Sequence, residues 1–245
     1  MDTRTATSVQ AAERVSAFLW KVYGWMAVGL GLTAVVAFAV AGSPDILRAL
    51  VGNRLVFFGL VIAELGLVFY LSARAARLAP GTAAGLFTLY SALNGVTLSV
   101  ILLAYTGESV TTTFIVTAGM FGALALFGST TQRSLAGAGQ FFMMGLVGLI
   151  LASLIGMFWH NDALQFLISI VGMFWQSDAL QFLISVVGVI VFTGLTAWDA
   201  QRLKQMALAL PDGQVGSYAI VGALSLYLDF INLFLMLLRF TGRRD

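Results

Sequence analysis

The chain has no cysteine, one histidine (His160), two lysines (Lys21 and Lys204) and three prolines in 245 residues. Without cysteine there are no disulfides, thiolate metal sites or cysteine nucleophiles. A single histidine excludes the clustered imidazoles of a zinc protease. A retinal Schiff base needs a lysine in the last apolar run, and neither lysine lies there. Charge is scarce as well. Only 10% of residues are charged, against roughly 25% in soluble domains, so the chain cannot clothe a water-facing surface. The net charge of +2, with the basic residues gathered between apolar runs, is membrane topology rather than a footprint for nucleic acid, which is not expected as a partner.

What the sequence does have is apolar length: 60% of residues are hydrophobic and the mean hydropathy is +0.95. A helix of about 20 apolar residues spans the ~30 Å hydrocarbon core. Seven such helices are predicted, at 18–41, 54–73, 83–104, 110–129, 139–159, 178–198 and 217–240. Breakers separate them, and the three prolines fall in "AGSPD", "ARLAPGT" and "LPDGQVGS". The fold class is therefore all-α integral membrane. Residues 1–16 form a polar N-terminal tail, and 17–245 a single membrane domain. No cleavage site follows the first apolar run, which reads as a retained helix rather than a signal peptide. Small residues four apart, Ser91–Gly95–Ser99 and Gly148–Ala152–Gly156, mark faces where helices approach closely. With the N-terminus inside, eight Lys and Arg fall on the cytoplasmic side and five on the other. That favours N-in, although three of the five sit at the C-terminus. A tandem repeat interrupts the pattern: "GMFWHNDALQFLISIV" (156–171) precedes "GMFWQSDALQFLISVV" (172–187), which differs at three of sixteen positions. Its extra apolar core, 163–175, is too short to span and is expected as an interfacial or partly buried helix between the fifth and sixth spans.

Three carboxylates stand out because ionised groups in hydrocarbon are expensive. Glu64 lies mid-helix in "VIAELGLVF", Asp199 in "LTAWDAQRLK" where apolar sequence meets basic sequence, and Asp229 in "ALSLYLDFINLFLMLLRF". Asp229 shares a helical face with Gly222, Ser225 and Asn232, and this polar face is expected to point inward. Structural readings compete with functional ones. Arg74 or Arg77 can serve Glu64, and Arg202 or Lys204 can pair with Asp199; Asp199 also meets the helix dipole if its helix ends nearby. Two aspartates on consecutive helices suggest an intramembrane aspartyl protease, but that chemistry accompanies a Gly-x-Gly-Asp motif and this sequence reads "LYLD". No enzyme is expected.

The segments "GLTAWDAQRLK" and "ALSLYLDFINLFLMLLRFTGRR" resemble the signature segments of the bacterial branch of the Bax inhibitor (TMBIM) family, and the similarity extends from about residue 15 to the C-terminus. The resemblance implies six helices around a central seventh in the bacterial inner membrane. It implies a pH-dependent calcium leak, with Ca²⁺ as transported ion and no permanently bound cofactor. Asp199 and Asp229 then form the pH-sensing pair, sharing a proton and offering oxygens to Ca²⁺, with Glu64 in the second helix and Arg74 or Arg77 as the latch on Asp199. The duplicated block has no counterpart in that pattern and is placed to disturb the sixth helix. The competing reading is a membrane-embedded binding regulator of a membrane-anchored ATP-dependent protease or of a stress response, with the polar N-terminal segment as a recognition surface.

Overall fold

The computed structural model describes residues 3–158, 178–211 and 214–243, and all regular structure among them is helical. The elements are α1 (Thr3–Ala41), α2 (Pro44–Gly52), α3 (Arg54–Arg74), α4 (Pro80–Leu102), α5 (Gly107–Thr130), α6 (Ala136–Phe158), α7 (Asp178–Ala209) and α8 (Val215–Thr241). Among the described residues, six segments are long and apolar enough to cross a membrane: Val9–Ala41, Leu55–Arg74, Pro80–Leu102, Gly107–Thr130, Ile184–Ala209 and Val215–Thr241. Their outward positions carry bare apolar side chains such as Leu55, Phe69 and Ile115, as lipid-facing surfaces do.

Several bounds differ from expectation. α1 begins at Thr3 rather than near 18, because a polar run without glycine or proline has no signal to stop a helix continuing into it. The short α2 was read as a break. Pro44 at its first turn starts this helix instead of interrupting a longer one. Asn53 ends α2 and caps α3, accepting from the Leu55 and Val56 amides at 3.0 and 3.4 Å. α7 runs on to Ala209 instead of stopping near 198. Segment 163–175, expected as an interfacial or partly buried helix, lies outside the described residues, as does most of the repeat.

The chain divides into two compact units. The first comprises 1–108, 202–228 and 243–245. Here α1 packs along α4, and α3 lies beside α4. The Ser91–Gly95–Ser99 stripe is buried and faces α1: a Cβ on Gly95 would lie 2.7 Å from the Thr33 carbonyl oxygen and 2.8 Å from Val36 Cβ. The edge-on rings of Trp25, Phe87, Tyr90 and Tyr227 fill the space around it, with centroids 5.7–6.5 Å apart. Of the described α3 side chains, only Glu64 and Leu71 are buried, one heptad apart on the same face. The second of the small-residue stripes has no such contact at Gly148.

The second unit comprises 109–201 and 229–242. Its core joins Val191, Phe192 and Leu195 of α7 to Leu233 and Leu237 of α8. Phe230 packs edge-on against Phe114 and Phe121 of α5, at 5.3 and 5.6 Å.

Candidate functional site

Asp199 and Asp229 both belong to the second unit, and both are buried, each 7% exposed. Helical periodicity explains how they come together. Asp199 lies one turn beyond Leu195 on α7, and Asp229 one turn before Leu233 on α8. Those two leucines pack in one core cluster, and the two carboxylates interact electrostatically. Among the described residues no donor reaches the enclosed Asp229 Oδ2, an arrangement that costs free energy for any buried acceptor and more for a charged one.

The backbone under Asp199 is held by unusually close contacts. A Cβ on Gly128 of α5 would collide with the Ala197 carbonyl, and one on Gly139 of α6 with the Trp198 indole. Gly194 of α7 receives the Phe142 ring of α6 in the same way. Two residues past Asp199, the buried Gln201 accepts from the Leu135 amide and donates to the Arg133 carbonyl, both at 2.8 Å. That clamp ties α7 to the connection between α5 and α6. Asp199 is therefore not at a helix end, as the sequence reading allowed, but ten residues before one, and the helix dipole has no part in its surroundings.

The third carboxylate, Glu64, belongs to the first unit and is 8% exposed. It ends a run of buried polar groups from four segments. Thr33 Oγ1 of α1 lies 2.8 Å from the Ser91 carbonyl oxygen and 2.6 Å from the Tyr227 hydroxyl. The Tyr227 hydroxyl lies 3.1 Å from one end of the Asn94 amide, whose other end is 3.4 Å from Glu64 Oε2. Thr97 reaches Glu64 Oε1 at 3.1 Å. Glu64 thus meets amide and hydroxyl groups here, not the arginines suggested for it: Arg74 and Arg77 are exposed, and the Arg74 guanidinium lies over the Tyr70 ring, 5.9 Å from its centroid. On α8, Gly222 is buried against Leu203, whereas Ser225 and Asn232 are half-buried.

Sequence reading did not single out Gln201, Tyr227, Asn94 or Thr33. Asn94 carried a signal, since an asparagine within an apolar span needs a partner, but it stood inside a small-residue stripe explained by packing. Tyr227 looked like one more apolar residue of the last helix.

A model of the family described as inhibitor of apoptosis-promoting Bax1 matches residues 15–174 and again 166–245. The chain belongs to the Bax inhibitor family. The two matches overlap at 166–174, within the repeated block, as a family pattern with one copy of the block would overlap on a chain with two. The chain is 46% identical to the inner membrane protein YbhL of Escherichia coli K12, over 98% of its own length and 97% of that protein's. It is 42% identical to a protein of Borreliella burgdorferi over 93% and 92% of the two lengths, and 37% identical to a membrane protein of Streptococcus pyogenes over 93% of each. With six apolar helices of spanning length, this Bax inhibitor family member is a multi-pass protein of the inner membrane.

Proposed function

We propose that the protein is a pH-sensitive calcium leak channel of the inner membrane, gated by a proton shared between Asp199 and Asp229. The observation that carries this reading is the pair itself: two buried, interacting carboxylates on consecutive helices, one with an oxygen that no donor among the described residues reaches. Two such groups cannot both ionise cheaply, and they take up and lose protons as a pair. A proton held between them supplies the missing donor. Its loss leaves two like charges that repel, which favours separation of the helices bearing them and admits a cation.

Calcium is the cargo in this reading, not a resident cofactor. Ca²⁺ takes six to eight oxygen ligands, and among the described residues no group of three or more acidic, histidine or cysteine side chains is assembled to hold a metal. Two carboxylates suit passage and release better than retention. A seventh span is part of the proposal and would be α6, whose 23 residues carry no charge. Its support for a central last helix is the burial of α8: 61% of its window is enclosed, against 11–56% in the other spans.

Calcium flux into proteoliposomes containing the purified chain, measured at several pH values, tests the reading. A flux that rises as the pH is raised and the pair loses its proton supports it. No flux at any pH would reject it in favour of a binding regulator, with a membrane-anchored protease as the partner to seek by co-purification.

A further inference from the structure

The run of polar groups that ends at Glu64 contains more contacts than hydrogens. A hydroxyl has one proton to donate, and a terminal amide donates only from its nitrogen. With the Asn94 nitrogen turned to Glu64, its oxygen faces Tyr227. Three oxygen–oxygen contacts then need a hydrogen: Thr33 to the Ser91 carbonyl at 2.8 Å, Thr33 to Tyr227 at 2.6 Å, and Tyr227 to Asn94 at 3.1 Å. Thr33 and Tyr227 supply two between them. One contact is left with oxygen facing oxygen and nothing to bind them.

Turning the Asn94 amide over by half a turn resolves the shortage, because its two ends occupy nearly the same space. The nitrogen then donates to the Tyr227 oxygen, Tyr227 donates to Thr33, and Thr33 donates to the Ser91 carbonyl. All three contacts are satisfied. The Asn94 oxygen now faces Glu64 Oε2 at 3.4 Å, and that contact is attractive only if Glu64 carries a proton to donate. Thr97 Oγ1 lies 3.1 Å from Glu64 Oε1 and 2.9 Å from the Asn94 carbonyl oxygen, so its one hydrogen is divided between them.

We propose that Glu64 is a proton-binding site: it is held as the neutral carboxylic acid at the end of this chain, and losing its proton turns the Asn94 amide over and breaks one of the three hydrogen bonds that link the Ser91 carbonyl, Thr33, Tyr227 and Asn94. Among the described residues, the side chains that act on Glu64 through hydrogen bonds are the Thr97 hydroxyl and the Asn94 amide, which carry no charge to replace the proton. Glu64 interacts electrostatically with Tyr90 of α4 and Tyr227, neither of which is a cation. On α2, Asp45 and Arg48 pair with each other at 3.4 Å and are exposed. Arg74, on the helix of Glu64 itself, is exposed over Tyr70. This site is separate from the Asp199–Asp229 pair and stands whether or not that pair gates an ion path.

Infrared spectroscopy of the full chain in lipid nanodiscs tests the proposal, because a protonated carboxyl has its own C=O band. The protein is prepared with ¹³C-carboxyl glutamate. The other two glutamates, Glu13 and Glu108, are exposed, so a glutamic-acid band at neutral pH belongs to Glu64. The expected result is an acid band at neutral pH that shifts with the label, persists in the Asp199→Asn/Asp229→Asn double variant and weakens in Tyr227→Phe. In Tyr227→Phe the Asn94 oxygen no longer competes for a hydrogen, so the amide nitrogen can serve an ionised Glu64. A neutral-pH acid band that does not shift with labelled glutamate would overturn the proposal. So would a labelled band that Tyr227→Phe leaves at full strength, since burial alone would then hold the proton.

Discussion

Gly128 of α5 and Ala197 of α7 approach so closely that the glycine hydrogen occupies the only space available: a Cβ there would collide with the Ala197 carbonyl. Ala197 stands two residues before Asp199, so the height of that aspartate depends on a residue with no side chain on a different helix. Gly139 and Gln201 act on the same turn, through Trp198 and through the backbone at 133–135. The candidate site is positioned chiefly by backbone contact and hydrogen bonds to backbone.

Gly128→Ala is expected to destabilise the protein by about 1–3 kcal/mol, the usual cost of overpacking a well-filled interior. A backbone carbonyl cannot rotate away as a flexible side chain would. Thermal unfolding in detergent reads the loss. A control at Gly122, which faces open space, should leave the midpoint nearly unchanged. Equal midpoints for both variants would contradict the close approach.

Gln201→Ala removes the acceptor of the Leu135 amide and the donor to the Arg133 carbonyl. Leaving buried groups unpaired costs about 1–3 kcal/mol, so a clear drop in midpoint is expected. Gln201→Glu keeps the acceptor but sets a carboxylate oxygen against the Arg133 carbonyl, and should not rescue. Full stability of the glutamate variant would show that the donor half of the clamp is idle.

Asp229→Asn keeps shape and hydrogen-bonding capacity while removing one ionisable partner. The fold is expected to survive, because an amide in the membrane costs less than a carboxylate. Calcium flux should lose its pH dependence near neutrality, since the remaining Asp199 has no like charge to share a proton with. A variant that folds, conducts and titrates like the wild type would make Asp229 purely structural.

Deleting 156–171 leaves one copy of the repeated block and joins Ile155 directly to Gly172. Because the family pattern overlaps itself within this block, the shortened chain is expected to insert in the membrane and retain its unfolding midpoint. Failure to accumulate in the membrane fraction would show that the second copy has become essential to folding.

The division of labour between sequence and tertiary structure follows from what each signal depends on. Apolar length is a property of local sequence, so the membrane class, most helix positions and the three costly carboxylates were legible residue by residue. The periodicity of α8 put Asp229 on an inward polar face; Asp229 is buried, but so are Leu224, Leu226 and Leu233 around the same helix, while Ser225 and Asn232 are only half-buried. Helix ends were less legible where no glycine or proline marks them, at the start of α1 and the end of α7; that is why Asp199 was expected at a terminus and lies in mid-helix. Partners were not legible. The contacts of Gly128 with Ala197 and of Gln201 with the 133–135 backbone join residues 66 or more positions apart, and nothing in either local stretch specifies the other. The same holds for Thr33 and Tyr227, 194 positions apart. A hydrogen bond of that kind depends on which helices pack together and at what depth, and only the folded chain decides it.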